Sequence, residues 1–522
     1  MKCDGGWPAC NRCISTGRVC DGYGIWGGGG NAYGNRLSFP TSLANSNPTM
    51  SCMPVTLTVP TIHPCEQRYL EWFFCRSVVK LPGIFRSGFW DSVIRQASSR
   101  EPAIFHAILA LGAAHKNEVF RKPGRRRSYN LLDEHEQFAL HQYSTAINNL
   151  QTHFATKDKE SIRLTLITCI IFVYVEFLLG NHRTGFLHLR KGVKMLEQFA
   201  SMLWLSNDPV DQCIVEAFSR NQLQAELLGQ ISHDSLNAQH TDLLELPTTK
   251  FENISQAREY MDLILRQILC LTQLNVRTPG FEQTTLHNEL HQRKSYIRVQ
   301  LATWRKVLTA SLPLLKVHTD VKASIAHRIL SIYHTMSHIM IETSLNIDQV
   351  AFENHTNSFL SILTQLVDLL NTLLSAFKRT TPPPGEESTV FGSIADIAWI
   401  PPLYYIATKC RQHRLRMHAI KMLDLNFHKE GAWDSQLAGR VSREVMRIEE
   451  GGYYEGFEID DEFVVTEAPG VEDLTLPVLP ESYRVWKFEV QLPNEPGEMV
   501  RLKCWRLREN GELEVVLRVL DI

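Results

Sequence analysis

The 522-residue chain is expected to be mainly α: a large all-helical domain, with a cysteine-rich segment before it and a small antiparallel β-sheet after it. Three observations carry that expectation. From Cys65 to about residue 450, apolar residues recur at a helical period. Beyond Leu479 the pattern becomes alternating, β-branched and aromatic, around the turn dipeptide Asn510-Gly511. Of the 12 cysteines, Cys3, Cys10, Cys13 and Cys20 crowd the very start, and the other eight share no spacing.

Composition is that of an ordinary globular protein, 44% hydrophobic and 21% charged, with 54 basic against 56 acidic residues and a net charge of −2. A globally basic nucleic-acid coat is excluded, although a short local binding module is not. The opening MKCDGGWPAC has no apolar run behind its lysine and does not resemble a secretory signal. An intracellular, reducing compartment is therefore expected, and the sequons at Asn253 and Asn354 read as chance matches.

The elements follow in order. In residues 1–24 the spacing is Cys3-x6-Cys10-x2-Cys13-x6-Cys20. Thiolates this close in a reducing compartment point to zinc rather than to disulfides, since the x2 pair can grip one ion from a single turn. Residues 25–62, with Gly27 to Gly30 and many Ser, Asn, Thr and Pro, read as a flexible linker without coiled-coil heptads.

Residues 63–450 form the helical domain. Helical patterns begin at Cys65 and continue near 89–98, 101–120, 132–154, 161–180 and 184–199. Further ones run near 209–230, 252–274, 283–310, 320–345, 350–378 and 392–450. The most apolar stretch, Leu164 to Leu179, is shorter than a bilayer span and contains Glu176, so it reads as a buried helix. In residues 451–522, strands are expected near 485–492 and 499–520. The acidic, aromatic run from Glu449 to Phe463 reads as a solvated loop or, alternatively, an activation segment.

No catalytic constellation emerges. His135 and His141 stand six residues apart beside Glu134 and Glu136, which is not the His-Glu-x-x-His spacing that puts two imidazoles on one helix face. No phosphate-binding glycine loop, nucleophile elbow or kinase signature is present. The basic run from Arg121 to Arg127 reads as an exposed interhelical loop, a nuclear-import address or a phosphate-contacting loop. Arg411, Arg414 and Arg416 are expected on a polar helix face with carboxylate partners.

The text KCDGGWPACNRCISTGRVCDGYG resembles the second part of the module of fungal six-cysteine binuclear zinc cluster transcription factors, C-x2-C-x6-C, a proline loop, then C-x2-C-x6-C. Cys3 matches the third cysteine, Pro8 the loop proline, and Cys10, Cys13 and Cys20 the last three. Three later blocks are similar to the same family's middle domain: FRSGFWDSVIRQASSREPAIFHAILALGAAH, CIIFVYVEFLLGNHRTGFLHLRKGVKML, and CRQHRLRMHAIKMLDLNFHKEGAWDSQLAGRVSREVMRIEE.

The resemblance implies a zinc-dependent, sequence-specific DNA-binding regulator of RNA polymerase II genes in the nucleus, with DNA and the transcription machinery as partners and no enzymatic activity. It makes Cys3, Cys10, Cys13 and Cys20 zinc ligands and Lys2 the DNA contact. The family's first two cysteines, and the basic residues before the third, have no counterpart here except Lys2. In the family the first and fourth cysteines bridge both ions, so four thiolates could close around one zinc ion but not two. The expectation is that Met1 lies inside a longer reading frame. The rival readings are a naturally shortened regulator without DNA binding and four chance cysteines. The alternative function is a helical protein-interaction or small-ligand-binding regulator, with an effector that the sequence does not name.

Overall fold

The computed structural model describes residues 63–120, 133–154, 158–199, 208–230, 249–277, 283–315, 317, 319–346, 349–379, 395–425, 429–493, 498–507 and 512–521. The chain divides into two compact units, Met1–Thr61 and Ile62–Ile522, and the described residues belong to the second. The cysteine segment with Lys2, the glycine-rich linker and the basic run Arg121 to Arg127 lie outside the described residues.

Among the described residues, the first half is built from seven helices. Helix α1 (Pro64–Trp72) starts at His63, whose side chain accepts from the Cys65 amide while Glu66 reaches back to the His63 amide. It runs on through a π turn, Phe73–Ser77, to Lys80. A second π turn, Phe89–Val93, opens α2 (Ile94–Ser98), and α3 (Pro102–Phe120), α4 (Glu134–Phe154), α5 (Lys159–Leu179), α6 (His182–Gln198) and α7 (Pro209–Leu227) follow. Helices α3 and α5 are apolar on every side because they are surrounded on every side. The expected buried helix is α5: long and apolar enough to cross a bilayer, it has 83% of that stretch packed inside the protein. Asp158 caps its start through the Ser161 amide, and Gly180 ends it at φ 79°, with the Asn181 amide reaching back to the Glu176 carbonyl.

The second half comprises α8 (Ile254–Arg277), α9 (Gln283–Ser311), α10 (Val321–Thr343), α11 (Thr356–Arg379), α12 (Ile400–Lys409) and α13 (His413–Leu425). A 3-10 turn, Gln349–His355, leads into α11. The helical pattern expected to run from 392 to 450 is interrupted by a two-residue hairpin, β1 (Lys429–Glu430) and β2 (Trp433–Asp434), before α14 (Ser435–Glu450). The turn between the strands needs Gly431, at φ 62°, where an added Cβ would lie 1.9 Å from Gln224 Oε1.

Each half closes its own apolar core, around α1 to α7 in one case and α8 to α13 in the other. Helix α14 belongs to both: Leu437, Val441, Val445 and Ile448 face the first core, Ala438 and Met446 the second. The expected sheet is β3 (Val485–Gln491), β4 (Val500–Leu507) and β5 (Leu513–Leu520), antiparallel in that order, with Val485, Val500, Leu502 and Cys504 packed on the first core. The acidic run is not wholly solvated. Glu449 and Glu450 end α14, and Tyr454 is buried with its hydroxyl donating to the Pro477 carbonyl at 2.8 Å.

Candidate functional site

The metal and DNA residues expected from the sequence, Cys3, Cys10, Cys13, Cys20 and Lys2, lie outside the described residues, as does the basic run. Among the described residues no group of three or more His, Cys, Asp or Glu is arranged to hold a metal. His135 instead bonds the Tyr69 hydroxyl through Nδ1 at 2.7 Å. Two buried ionic centres lie where the halves meet.

The first centre is the strip that leads into α12. Asp396 receives a fork from Arg258 of α8, with Nη1 at 3.1 Å and Nη2 at 2.8 Å, while Arg258 Nε reaches Asp262 one turn further along at 2.9 Å. The guanidinium also lies 4.4 Å from the centre of the Phe85 ring. Burial works against the charge of Arg258, but Asp262 and Asp396 outweigh it and keep the group protonated. Burial likewise pushes Glu216 and Glu259 above the usual carboxylate range.

The strip is held from every side. The Ala395 carbonyl accepts from the Tyr174 hydroxyl of α5 at 3.0 Å and from Gln224 of α7 at 2.8 Å. Buried Glu430 accepts the amides of Ala398, Trp399 and Ile400, capping α12 from outside the helix. A cavity of about 20 Å³ beside Asp396, lined by Trp90, Tyr174, Arg220 and Asn221, has room for a water molecule.

The second centre joins α13 to α14 and the sheet. Glu449, fully buried, accepts from Arg411 Nη1 at 2.6 Å and the Val485 amide at 2.9 Å, and pairs with Arg416 Nη2 at 2.6 Å. Burial raises a carboxyl, yet the two guanidiniums prevail and hold Glu449 below its ordinary value. The expected carboxylate partners of Arg411 and Arg416 are thus present, but both arginines are inside the protein rather than on a solvated face. Arg414 differs again, with its guanidinium 3.3 Å from the centre of the Phe463 ring.

His413 stands at the start of α13 between two carboxylates, Nδ1 2.9 Å from Glu450 and Nε2 3.1 Å from Asp461. Burial would lower its pKa, and the two carboxylates raise it above the ordinary imidazole value. Sequence reasoning missed His413 and Asp396. The only available signals were the charged residues beside them, which carry no indication of distant partners.

In both centres buried carboxylates meet guanidiniums. Such an arrangement fixes the geometry between the two helical halves.

Residues 68–424 match the fungal specific transcription factor domain. The chain is 23% identical over 538 aligned positions to the aspercryptin biosynthesis cluster-specific transcription regulator of Emericella nidulans, covering 86% of this chain and 85% of that protein. It is 24% identical over 203 positions to a transcription regulator of Purpureocillium lilacinum, covering 38% of this chain and 47% of that one. No solved structure matches. With most of the helical domain inside the matched region, the chain belongs to the fungal specific transcription factor domain family and is a transcription regulator.

Proposed function

We propose that the protein is a zinc-dependent, sequence-specific DNA-binding regulator of RNA polymerase II genes, acting in the nucleus on the genes of a biosynthetic cluster. The observation that carries this reading is the match of residues 68–424 to a transcription factor domain, placed behind the spacing Cys3-x6-Cys10-x2-Cys13-x6-Cys20. The cluster assignment rests on the relative in Emericella nidulans. In this reading the zinc is structural and Cys3, Cys10, Cys13 and Cys20 supply thiolates to it. Lys2, with the basic residues of a preceding half module, makes the DNA contacts. The helical domain passes partner or effector signals to the transcription machinery.

The test is to map the 5′ end of the transcript and to measure zinc content and DNA affinity in the protein it encodes. The expected result is an upstream in-frame C-x2-C with basic residues, two zinc ions per chain, and an affinity that falls steeply with salt. A transcript beginning at Met1, with one zinc ion or none and no salt-dependent binding, overturns the proposal. The regulator would then act through protein or small-ligand contacts alone.

A further inference from the structure

The two edges of the C-terminal sheet differ. The β3 edge carries Lys487 and Glu489 and a register irregularity between Val485 and Lys487, devices that discourage pairing with another strand. Strand β5 stands at the opposite edge with the sequence LEVVLRVL, unbroken by proline or glycine. Its odd-numbered side chains form an apolar row in solvent: Leu513, Val515, Leu517 and Val519 are 53%, 46%, 66% and 62% exposed. Its even-numbered side chains turn inward, where Val516 and Leu520 pack on the first core. On that inner side Glu514 pairs with Arg506 at 2.6 Å and Arg518 with Glu444 of α14 at 3.0 Å.

We propose that the outer edge of β5, which pairs with no further strand among the described residues, is a self-association surface, on which β5 of a second copy of this chain pairs antiparallel about Val516 and joins the two sheets into one. The occupant follows from charge. Directly opposed residues of antiparallel strands point to the same face, so the exposed row must meet itself, odd number against odd. Centred on Val516, Leu513 opposes Val519 and Val515 opposes Leu517, which makes one continuous apolar row across the joint.

In the same register Glu514 opposes Arg518 of the second copy, and two-fold symmetry makes this pair twice. The inner face then reads Arg506, Glu514, Arg518, Glu444 across each side of the joint, with alternating sign throughout. Sliding the strands by two residues in either direction sets Glu514 or Arg518 against Val516 and loses the pairing. Stacking the sheets face to face is disfavoured, because β4 presents Arg501 and Lys503 on the same side as the apolar row.

Sedimentation of the full chain tests the proposal. The wild type is expected at twice the chain mass of 59.7 kDa at micromolar concentration. E514R and R518E, each with an unchanged circular dichroism spectrum, are expected at the single mass, since each sets like charges opposite one another twice. Mixing the two variants in equal amounts is expected to restore the double mass, because every facing pair is again of opposite sign. Neither chain regains its internal partner on Arg506 or Glu444, so mixing repairs only a contact between chains. L517K, at a side chain exposed to solvent, is a second variant expected at the single mass. A monomeric wild type, variants that associate like the wild type, or a mixture that stays at the single mass overturns the proposal.

Discussion

His413 shows how a single residue acquires a role that its own chemistry does not specify. A free imidazole is mostly neutral at neutral pH, but between Glu450 and Asp461 both ring nitrogens need a proton to donate, and the charged form is favoured. Its folded pKa lies above the unfolded value of 6.5. The stability it contributes is therefore complete below pH 6.5 and is lost as pH rises through the folded value. Other histidines oppose this trend: burial lowers His115 to about 3, and His334 and His418 to about 4. The H413Q substitution isolates the effect. Urea midpoints measured at a series of pH values are expected to show a loss of stability above pH 6.5 in the wild type that the variant lacks. Parallel profiles for the two proteins would refute the assignment.

At the scale of elements, close helix contacts depend on residues too small to separate the backbones. Gly112 of α3 faces α1, and a Cβ there would lie 2.8 Å from the Tyr69 carbonyl oxygen and 3.2 Å from Phe73 Cβ. Because the first obstacle is backbone, α1 must move as a unit. Gly112→Ala is expected to cost about 1–3 kcal/mol, the usual penalty of overpacking a filled core, despite the higher helix propensity of alanine. The check is the shift in denaturant midpoint at constant slope. Helix α5 illustrates the complementary case. Its apolar run is shorter than a bilayer span and contains Glu176, which points to a buried helix. The structure meets that expectation: Glu176 is held at 2.8 Å by Asn181, the residue just past the helix end.

Across the whole molecule, the two cores meet through α14, through Leu228 and Tyr404, which pack on both, and through two buried ionic centres, of which Asp396 is central to the first. Removing it leaves Arg258 buried with Asp262 as its one carboxylate partner among the described residues. Asp396→Ala is thus expected to destabilise the protein by about 3 kcal/mol, near the low end for breaking a buried pair because one carboxylate remains. Hydrogen exchange should rise in residues 395–409 and in α8, and unchanged protection there would contradict a joining role. Much of this fold was legible in the sequence. The helical period gave α3 to α11 nearly in place, and the alternating pattern after Leu479 gave the terminal strands, because both patterns arise within one element and need no distant partner; the Asn510-Gly511 turn lies outside the described residues. The region from 392 to 450 was less legible. Its hairpin depends on Gly431 meeting Gln224 of α7, a contact between residues far apart in the chain. The ionic centres were legible only as residue types. Arg411 and Arg416 promised carboxylates, but burial and the choice of Glu449 depend on α13, α14 and β3 converging. The sequence by itself determined the helical class and the terminal sheet, since periodicity is local. Which charges are buried together, and which strand ends the sheet among the described residues, was decided only by tertiary structure, because desolvation and pairing are properties of the assembled neighbourhood.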